Sequence, residues 1–247
     1  GMTVIWKMRP ASYIIRRSEK GMEKEEISLI ERPAFIAGIT AVGGFCNAYT
    51  GMTRGGVFAN AHTANMAKLG IAVATLNAWD AFNAVVPIVG CFLGAFLCEL
   101  IKGKDDMLGG HWHRYALWME LAALVMVGFI PQSVPDFWVN AFMSLVTGFQ
   151  LDVFRTWAGG NHNTTICTGN LRTMGQLFYS WLFRRTDVVS QKAATYVGLL
   201  LSFPLGASVG ALLCLWMGVR ASWAAGLFLL MWILWMTVDE RRQTLKT

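Results

Sequence analysis

Charge is scarce in this chain. Charged residues make up 15% of it and hydrophobic residues 55%, which excludes an ordinary soluble domain. Cysteine is present without a pattern. Cys46, Cys91, Cys98, Cys167 and Cys214 all sit among apolar residues, at no metal or disulfide spacing, and read as small buried hydrophobes. His111-x-His113 has no carboxylate or thiol at useful spacing, so it reads as surface histidines beside a helix, and no metal site is expected. The chain also lacks a Gly-x-Ser-x-Gly elbow, a His-Glu-x-x-His helix, a pair of aspartates within its apolar stretches and a nucleotide-binding loop. No enzymatic activity and no cofactor are therefore expected. No cleavable signal peptide is expected either, because the first thirty or so residues are charged rather than apolar.

What is present is a succession of apolar stretches: Ala34–Met52, Ala81–Leu100, Tyr115–Ile130, Phe137–Phe154, Ala193–Met217 and Ala221–Val238. A bilayer-spanning helix needs roughly 17–25 mostly apolar residues. The pattern predicts an all-α fold, a polytopic membrane helix bundle with the lipid bilayer as its first partner. Trp112, Trp138, Trp157, Trp181 and Trp223 fall near stretch ends, where an interfacial belt places them. The expected organisation is a cytoplasmic polar tail over 1–33, a first membrane repeat over 34–130, a second over 131–240 and a short cytoplasmic tail over 241–247. The first tail mixes Lys7, Arg9, Arg16, Arg17, Lys20, Lys24 and Arg32 with Glu23, Glu25 and Glu26. Its basic residues suit topology and anionic lipid, and no motif supports a nucleic-acid partner.

Two segments decide the number of crossings. Gly55–Trp79 and Gly160–Phe183 are each long enough to cross but polar in their first half. Eight spans result if both cross, and the halves lie parallel. Six result if both dip in and return, and the halves are inverted. With six spans the amino-terminal tail, Lys102, Lys104, Arg114, Arg155, Arg184, Arg185, Lys192, Arg241, Arg242 and Lys246 share the cytoplasmic side, leaving Arg54 and Arg220 outside. Eight spans would move Lys102, Lys104, Arg114 and Arg155 outside. The positive-inside rule favours six spans plus two broken or re-entrant segments, in the cell inner membrane with both termini cytoplasmic.

The two ambiguous segments also resemble each other. Gly55-Gly56 leads to Thr63-Ala64-Asn65, and Gly159-Gly160 leads to Thr168-Gly169-Asn170, at an offset of 105 residues. The same gap-free offset sets Gly43 on Gly148, Asn47 on Asp152, Tyr49 on Phe154 and Gly70 on Gly175. A second match pairs Gly90-x-x-x-Gly94-Ala-x-Leu with Gly206-x-x-x-Gly210-Ala-x-Leu. Small residues four apart let helices approach closely, within one chain or across a homodimer. Pro87 and Pro204 lie close by and would free backbone carbonyls inside the bundle.

Gly43-Gly44-Phe45-Cys46-Asn47-Ala48-Tyr49, Arg54-Gly55-Gly56-Val57-Phe58-Ala59-Asn60 and Thr63-Ala64-Asn65 together resemble the YoaK family of small multi-pass bacterial membrane proteins. Gly148-Phe149-Gln150, Thr164-Thr165 and Thr168-Gly169-Asn170-Leu171 carry the same resemblance in the second half. It covers nearly the whole chain after Pro33 and implies six spans and a bacterial origin, without implying an activity. Ala64 stands where members usually have glycine, and Asn47 where they often have aspartate. The missing carboxylate weakens the case for a cation or proton site in the first repeat.

Polar residues at membrane depth are functional suspects. Asn47, Thr63, Asn65, Asp152, Thr168 and Asn170 are the candidate substrate-binding residues. Arg54, Lys68, Arg155, Arg172 and Glu120 are the candidates for charge or coupling. An asparagine there either caps a broken helix or binds a solute, and the two roles are compatible. Lys68 and Arg172 also suit snorkelling to headgroups, and Asp152 suits simple pairing with Arg155. The expectation is a transporter or channel for a small polar, anionic solute, held between two broken helices where Asn65 and Asn170 approach each other. The alternative is a membrane scaffold, sensor or accessory protein with no transport of its own.

Overall fold

Pro33 occupies the first turn of helix α1 (Pro33–Thr53), where a missing N–H and a fixed φ suit a helix start. The chain continues through α2 (His62–Ala74), α3 (Ala78–Lys102), α4 (Trp112–Phe129) and α5 (Asp136–Val153). A two-residue antiparallel pairing of β1 (Thr156–Trp157) with β2 (Gly160–Asn161) follows. Then come α6 (Cys167–Arg184), α7 (Asp187–Met217), a 3-10 turn at Gly218–Arg220 and α8 (Ala221–Thr244). The computed structural model describes residues 32–103, 112–154, 156–157, 160–161, 164, 167–184 and 187–244. The amino-terminal tail, Lys104, His111, Arg155, Gly159, His162, Thr165, Arg185 and Lys246 lie outside the described residues.

Helices α1 and α5 form the centre. α1 buries Phe35, Ile36, Ile39, Val42, Phe45 and Tyr49, and α5 buries Val139, Met143, Val146 and Phe149. α1 packs along α7 as α5 packs along α3, and α8 lies against α1 as α4 lies against α5. α2 covers α3 as α6 covers α7, while α4 and α8 meet each other. Exchanging the halves maps each of these pairings onto another or onto itself. The chain is an internal duplication with a pseudo-two-fold relation.

The halves are inverted. Arg54, just past the end of α1, donates to the carbonyls of Ile130 and Pro131 in the turn that leads into α5. The end of α1 therefore meets the start of α5. Phe82 near the start of α3 packs edge-on against Phe137 at the start of α5, so α3 begins at this Arg54 end. At the opposite end Lys102, closing α3, reaches Asp152 near the end of α5.

Glycines set the close crossings. A Cβ on Gly206 or Gly94 would collide with the carbonyl of Ala41 or Leu145 respectively. On Gly210 it would press on Phe45, and on Gly90 it would lie 2.6 Å from the Ala141 carbonyl oxygen. Both Gly-x-x-x-Gly faces are thus filled by contacts inside the chain. These crossings also correct the repeat register. Gly206 meets Ala41 where Gly90 meets Ala141, and Gly210 meets Phe45 where Gly94 meets Leu145, which is an offset of 100 in α1 and α5. The offset of 105 holds only from the starts of α2 and α6, at His62 and Cys167. The linker 154–166 is five residues longer than 54–61, and the short β pairing lies within it.

The first linker doubles back. Gly55 and Gly56 adopt φ of +74° and +72°, which glycine reaches without a Cβ penalty. The chain then descends beside α1: the Ala59 N–H donates to Thr50 Oγ1 (3.1 Å) and the Asn60 N–H to Asn47 Oδ1 (3.0 Å). Asn60 Nδ2 reaches the Gly43 carbonyl (2.9 Å), half-way along α1. Thr147 Oγ1 of α5 donates to the Ala59 carbonyl (3.4 Å) from the other side. α2 climbs back to the start of α3, so residues 54–77 enter and leave by the same end. α5 ends and α7 begins at the Lys102 end, because α7 runs parallel to α1.

Among the described residues two stretches, Ala78–Lys102 and Ala193–Arg242, are long and apolar enough to cross a membrane, with mean hydropathy 2.3 and 2.0. The second takes in most of α7 and of α8. α1 and α5 fall short because they are interior helices whose polar residues face protein: Thr40, Thr50 and Thr53 on α1, and Asn140, Ser144, Thr147 and Gln150 on α5. The outer helices show the opposite pattern. Phe92, Phe96, Leu205, Leu212, Leu227 and Leu234 are all exposed.

Candidate functional site

At the Arg54 end, α2, α3 and the start of α5 enclose a cavity of about 550 Å³. Arg54, Asn65 and Lys68 line it, together with Asp80, Asn83, Asp136 and Asn140. Trp79 and Phe137 supply aromatic surface. Pro87 lies one turn above Asn83 in α3 and cannot donate to the Asn83 carbonyl, so that backbone acceptor is left free near the wall.

Arg54 is fully buried. Its guanidinium holds the Ile130 and Pro131 carbonyls and lies 3.8 Å from Asp136, whose side chain is 39% exposed. Its own carbonyl, released at the end of α1, accepts from Asn140 Nδ2 (3.0 Å). Arg54 therefore ties α1 to the α4–α5 turn as well as lining the cavity. Asn65, on the first turn of α2, donates from Nδ2 to the Phe58 carbonyl (3.1 Å) and so pins the descending linker. Asn65 Oδ1 and Asn140 Oδ1 are buried and have no hydrogen-bond partner in the structure. Lys68 is exposed; it donates to the Gly56 carbonyl (3.2 Å) and sits 5.9 Å from the centre of the Phe58 ring.

The other candidates lie elsewhere. Asn47 is committed to the Asn60 backbone. Thr63, on α2, and Thr168 and Arg172, on α6, are exposed, whereas Asn170 is buried on α6 and has a partner. Glu120 is buried at mid-length of α4 with Oε1 unpartnered. Asp152 bonds Lys102 (2.6 Å), which also bonds Glu99 (2.8 Å), so its described ion-pair partner comes from α3. Arg155 lies outside the described residues.

This placement removes the basis for a positive site. Along the chain Arg54, Lys68, Arg155 and Arg172 outnumber Asp152, the one carboxylate within the paired motifs, and an anionic solute would need that excess. In the folded chain Asp152 is at the opposite end, and the cavity sets Asp80 and Asp136 against Arg54 and Lys68. The formal charges of the wall cancel. Sequence reasoning did not single out Asp80, Asp136 and Asn140, which line this cavity. Asn140, Ser144 and Thr147 recur at helical spacing within an apolar stretch, and that stripe was the available signal.

From the cavity a row of buried polar side chains runs down α5: Asn140, Ser144, Thr147 and Gln150, with Asp152 just beyond. Asn60 of the linker lies beside it. Ser144 Oγ, Asn60 Oδ1 and both amide atoms of Gln150 have no hydrogen-bond partner in the structure. Buried polar atoms normally find partners, so a row of unmet ones marks a place for water or solute. Among the described residues no group of three or more His, Cys, Asp or Glu is placed to hold a metal ion.

Neither the curated proteins nor the solved structures give a match to this chain. The family described as "Protein of unknown function (DUF1275)" matches residues 35–235, which takes in both repeats. The chain belongs to the DUF1275 family.

Proposed function

We propose that this protein crosses the inner membrane of a bacterium six times and carries a small polar solute between its two ends. The spans are α1, α3, α4, α5, α7 and α8, and the segments 54–77 and 154–186 are re-entrant. Inverted repeats with broken segments place a polar site near the bilayer midplane. The observation that carries the reading is the row of buried, partly unpartnered polar groups from the cavity at Asn140 to Gln150 near the other end. Such a row gives water or a polar solute groups to exchange between along the length of α5. Arg32, Lys102, Arg114, Arg241 and Arg242 gather at the Lys102 end, which makes that end cytoplasmic and the cavity external.

Two measurements test this. In a cysteine-free background, a cysteine at Asp80 labels from outside and one at Gly103 from inside; labelling of both from one side overturns the topology. In reconstituted vesicles the protein admits small polar solutes, and Gln150→Leu stops the flux. That substitution keeps volume and removes two unmet polar atoms, so the thermal midpoint holds or rises. Flux that persists at wild-type rate in Gln150→Leu, or no flux of any polar solute in the native protein, defeats the reading.

A further inference from the structure

Two charges in the cavity wall have no opposite partner. Lys68 on α2 and Asp80 at the start of α3 are both exposed, and neither makes an ion pair among the described residues. The ammonium of Lys68 has three donors, and one goes to the Gly56 carbonyl. Asp80 accepts from Asn77 Nδ2 through one oxygen and keeps further acceptor capacity. Arg54 and Asp136, by contrast, face each other at 3.8 Å, and each terminal nitrogen of Arg54 donates to a backbone carbonyl, although its Nε is buried without a partner. The wall therefore offers one free positive and one free negative charge.

The buried amides add a direction. Asn65 Nδ2 and Asn140 Nδ2 each donate to a backbone carbonyl, which fixes which side of each amide carries the oxygen. The two remaining oxygens, Asn65 Oδ1 and Asn140 Oδ1, are buried acceptors without donors. Each is closed to a molecule the size of water, so it acts on a ligand through its partial negative charge, which favours a positive group on this side of the cavity, rather than through direct contact. Trp79 and Phe137 line the same cavity, and aromatic faces attract an ammonium group. A carboxylate alone would meet Lys68 but oppose Asp80. An amine alone would leave Lys68 without a counter-charge.

We propose that the cavity binds a small zwitterion of the amino-acid type, with its ammonium toward Asp80 and the asparagine oxygens and its carboxylate toward Lys68. Val57 and Ile71 give its side chain an apolar wall. The cavity volume of about 550 Å³ falls within the ordinary range for a small-molecule site. The proposal rests on the transport reading and names its substrate class.

The test uses the purified full chain in lipid nanodiscs at constant ionic strength. Glycine, alanine and leucine are titrated beside their N-acetyl forms, which keep only the carboxylate, and their amides, which keep only the ammonium. At least one free amino acid should bind about tenfold more tightly than both of its singly charged counterparts, the discrimination expected from one charge-assisted hydrogen bond. Lys68→Gln should erase the preference over the amide, and Asp80→Asn the preference over the N-acetyl form. Lys68 is exposed and an asparagine at position 80 can still accept from Asn77, so both variants should stay folded, which their thermal midpoints check. Equal or tighter binding of an N-acetyl form or an amide overturns the proposal, as does the absence of binding by every amino acid. Flux in vesicles is read separately. Zwitterion binding without flux sinks the transport reading alone, and flux without zwitterion preference sinks the substrate class alone.

Discussion

The two ends of the bundle are built from the same unit turned upside down, yet one is tied shut and the other holds a cavity. At the Lys102 end, Arg32 pairs with Asp239, Lys102 with Asp152 and Arg114 with Glu240, so α1, α3, α4, α5 and α8 are all linked there. At the Arg54 end the ion pair among the described residues is the longer Arg54–Asp136 contact, at 3.8 Å. Exchanging the halves carries Lys102 to Gly218 and Asp152 to Met52, neither of which can form an ion pair. Arg54 is carried to Phe154. Topology therefore makes the two ends equivalent, and a few side chains make them different. Under the transport reading proposed above, this arrangement would correspond to a state open to the Arg54 side, with the ion pairs closing the other.

The largest effect tests the equivalence itself. Gly94→Val and Gly206→Val each drive a branched side chain into a backbone carbonyl of the facing helix, Leu145 or Ala41. Overpacking against backbone, which has no rotamer to yield, should cost about 3 kcal/mol in each variant. Gly70→Ala, where nothing lies within 4 Å of the added atom, should instead gain up to about 1 kcal/mol from helix propensity. Unfolding midpoints in one detergent measure all three. A large loss in one half with none in the other would break the structural equivalence of the repeats.

Much of this architecture was legible in the sequence, and the misreadings have physical causes. Apolar stretches gave the helices, and the charge asymmetry between loops favoured a first segment that returns to its own side, as residues 54–77 do. The gap-free repeat offset failed in the central helices because the matching Gly, Thr and Asn residues cluster in and after the linkers, where backbone geometry demands them. The cavity was only partly legible. Arg54, Asn65 and Lys68 were singled out as unusual residues for an apolar context. Asp80 and Asp136 are ordinary acidic residues at helix starts, and only the approach of α3 to α5 brings them to one wall. A charge balance counted along the chain could not reveal that Asp152 belongs to the opposite end.

A smaller effect sharpens the contrast between the ends. The side chains of Lys102 and Asp152 are 24% and 13% exposed, so their pair is only partly screened by solvent. A double-mutant cycle with Lys102→Met and Asp152→Asn should show a coupling of about 1 kcal/mol, falling as salt is raised. The same cycle on Lys68 and Asp80 should give no measurable coupling without ligand. If the cavity residues couple as strongly as Lys102 and Asp152, the contrast between a tied end and an open one fails. If the Lys102 end gates the path, Lys102→Met should also raise labelling of a cysteine at Asn60 from the inner side.

The smallest effect concerns how the first re-entrant segment returns to α3. Leu76, between α2 and α3, has φ of +54° and is 91% exposed. A non-glycine residue pays about 1–2 kcal/mol for the left-handed region because its Cβ crowds the following carbonyl. Its exposure leaves little packing to offset that cost. Leu76→Gly should therefore raise stability in detergent by up to about 1 kcal/mol, part of the relief being lost to the greater freedom of glycine in the unfolded chain. In a bilayer the gain should shrink, since a leucine at this end of the bundle can place its side chain in the apolar boundary. A loss of stability in detergent would show that Leu76 is held by contacts the turn geometry does not reveal, and that the α2–α3 return is more tightly built than the open Arg54 end implies.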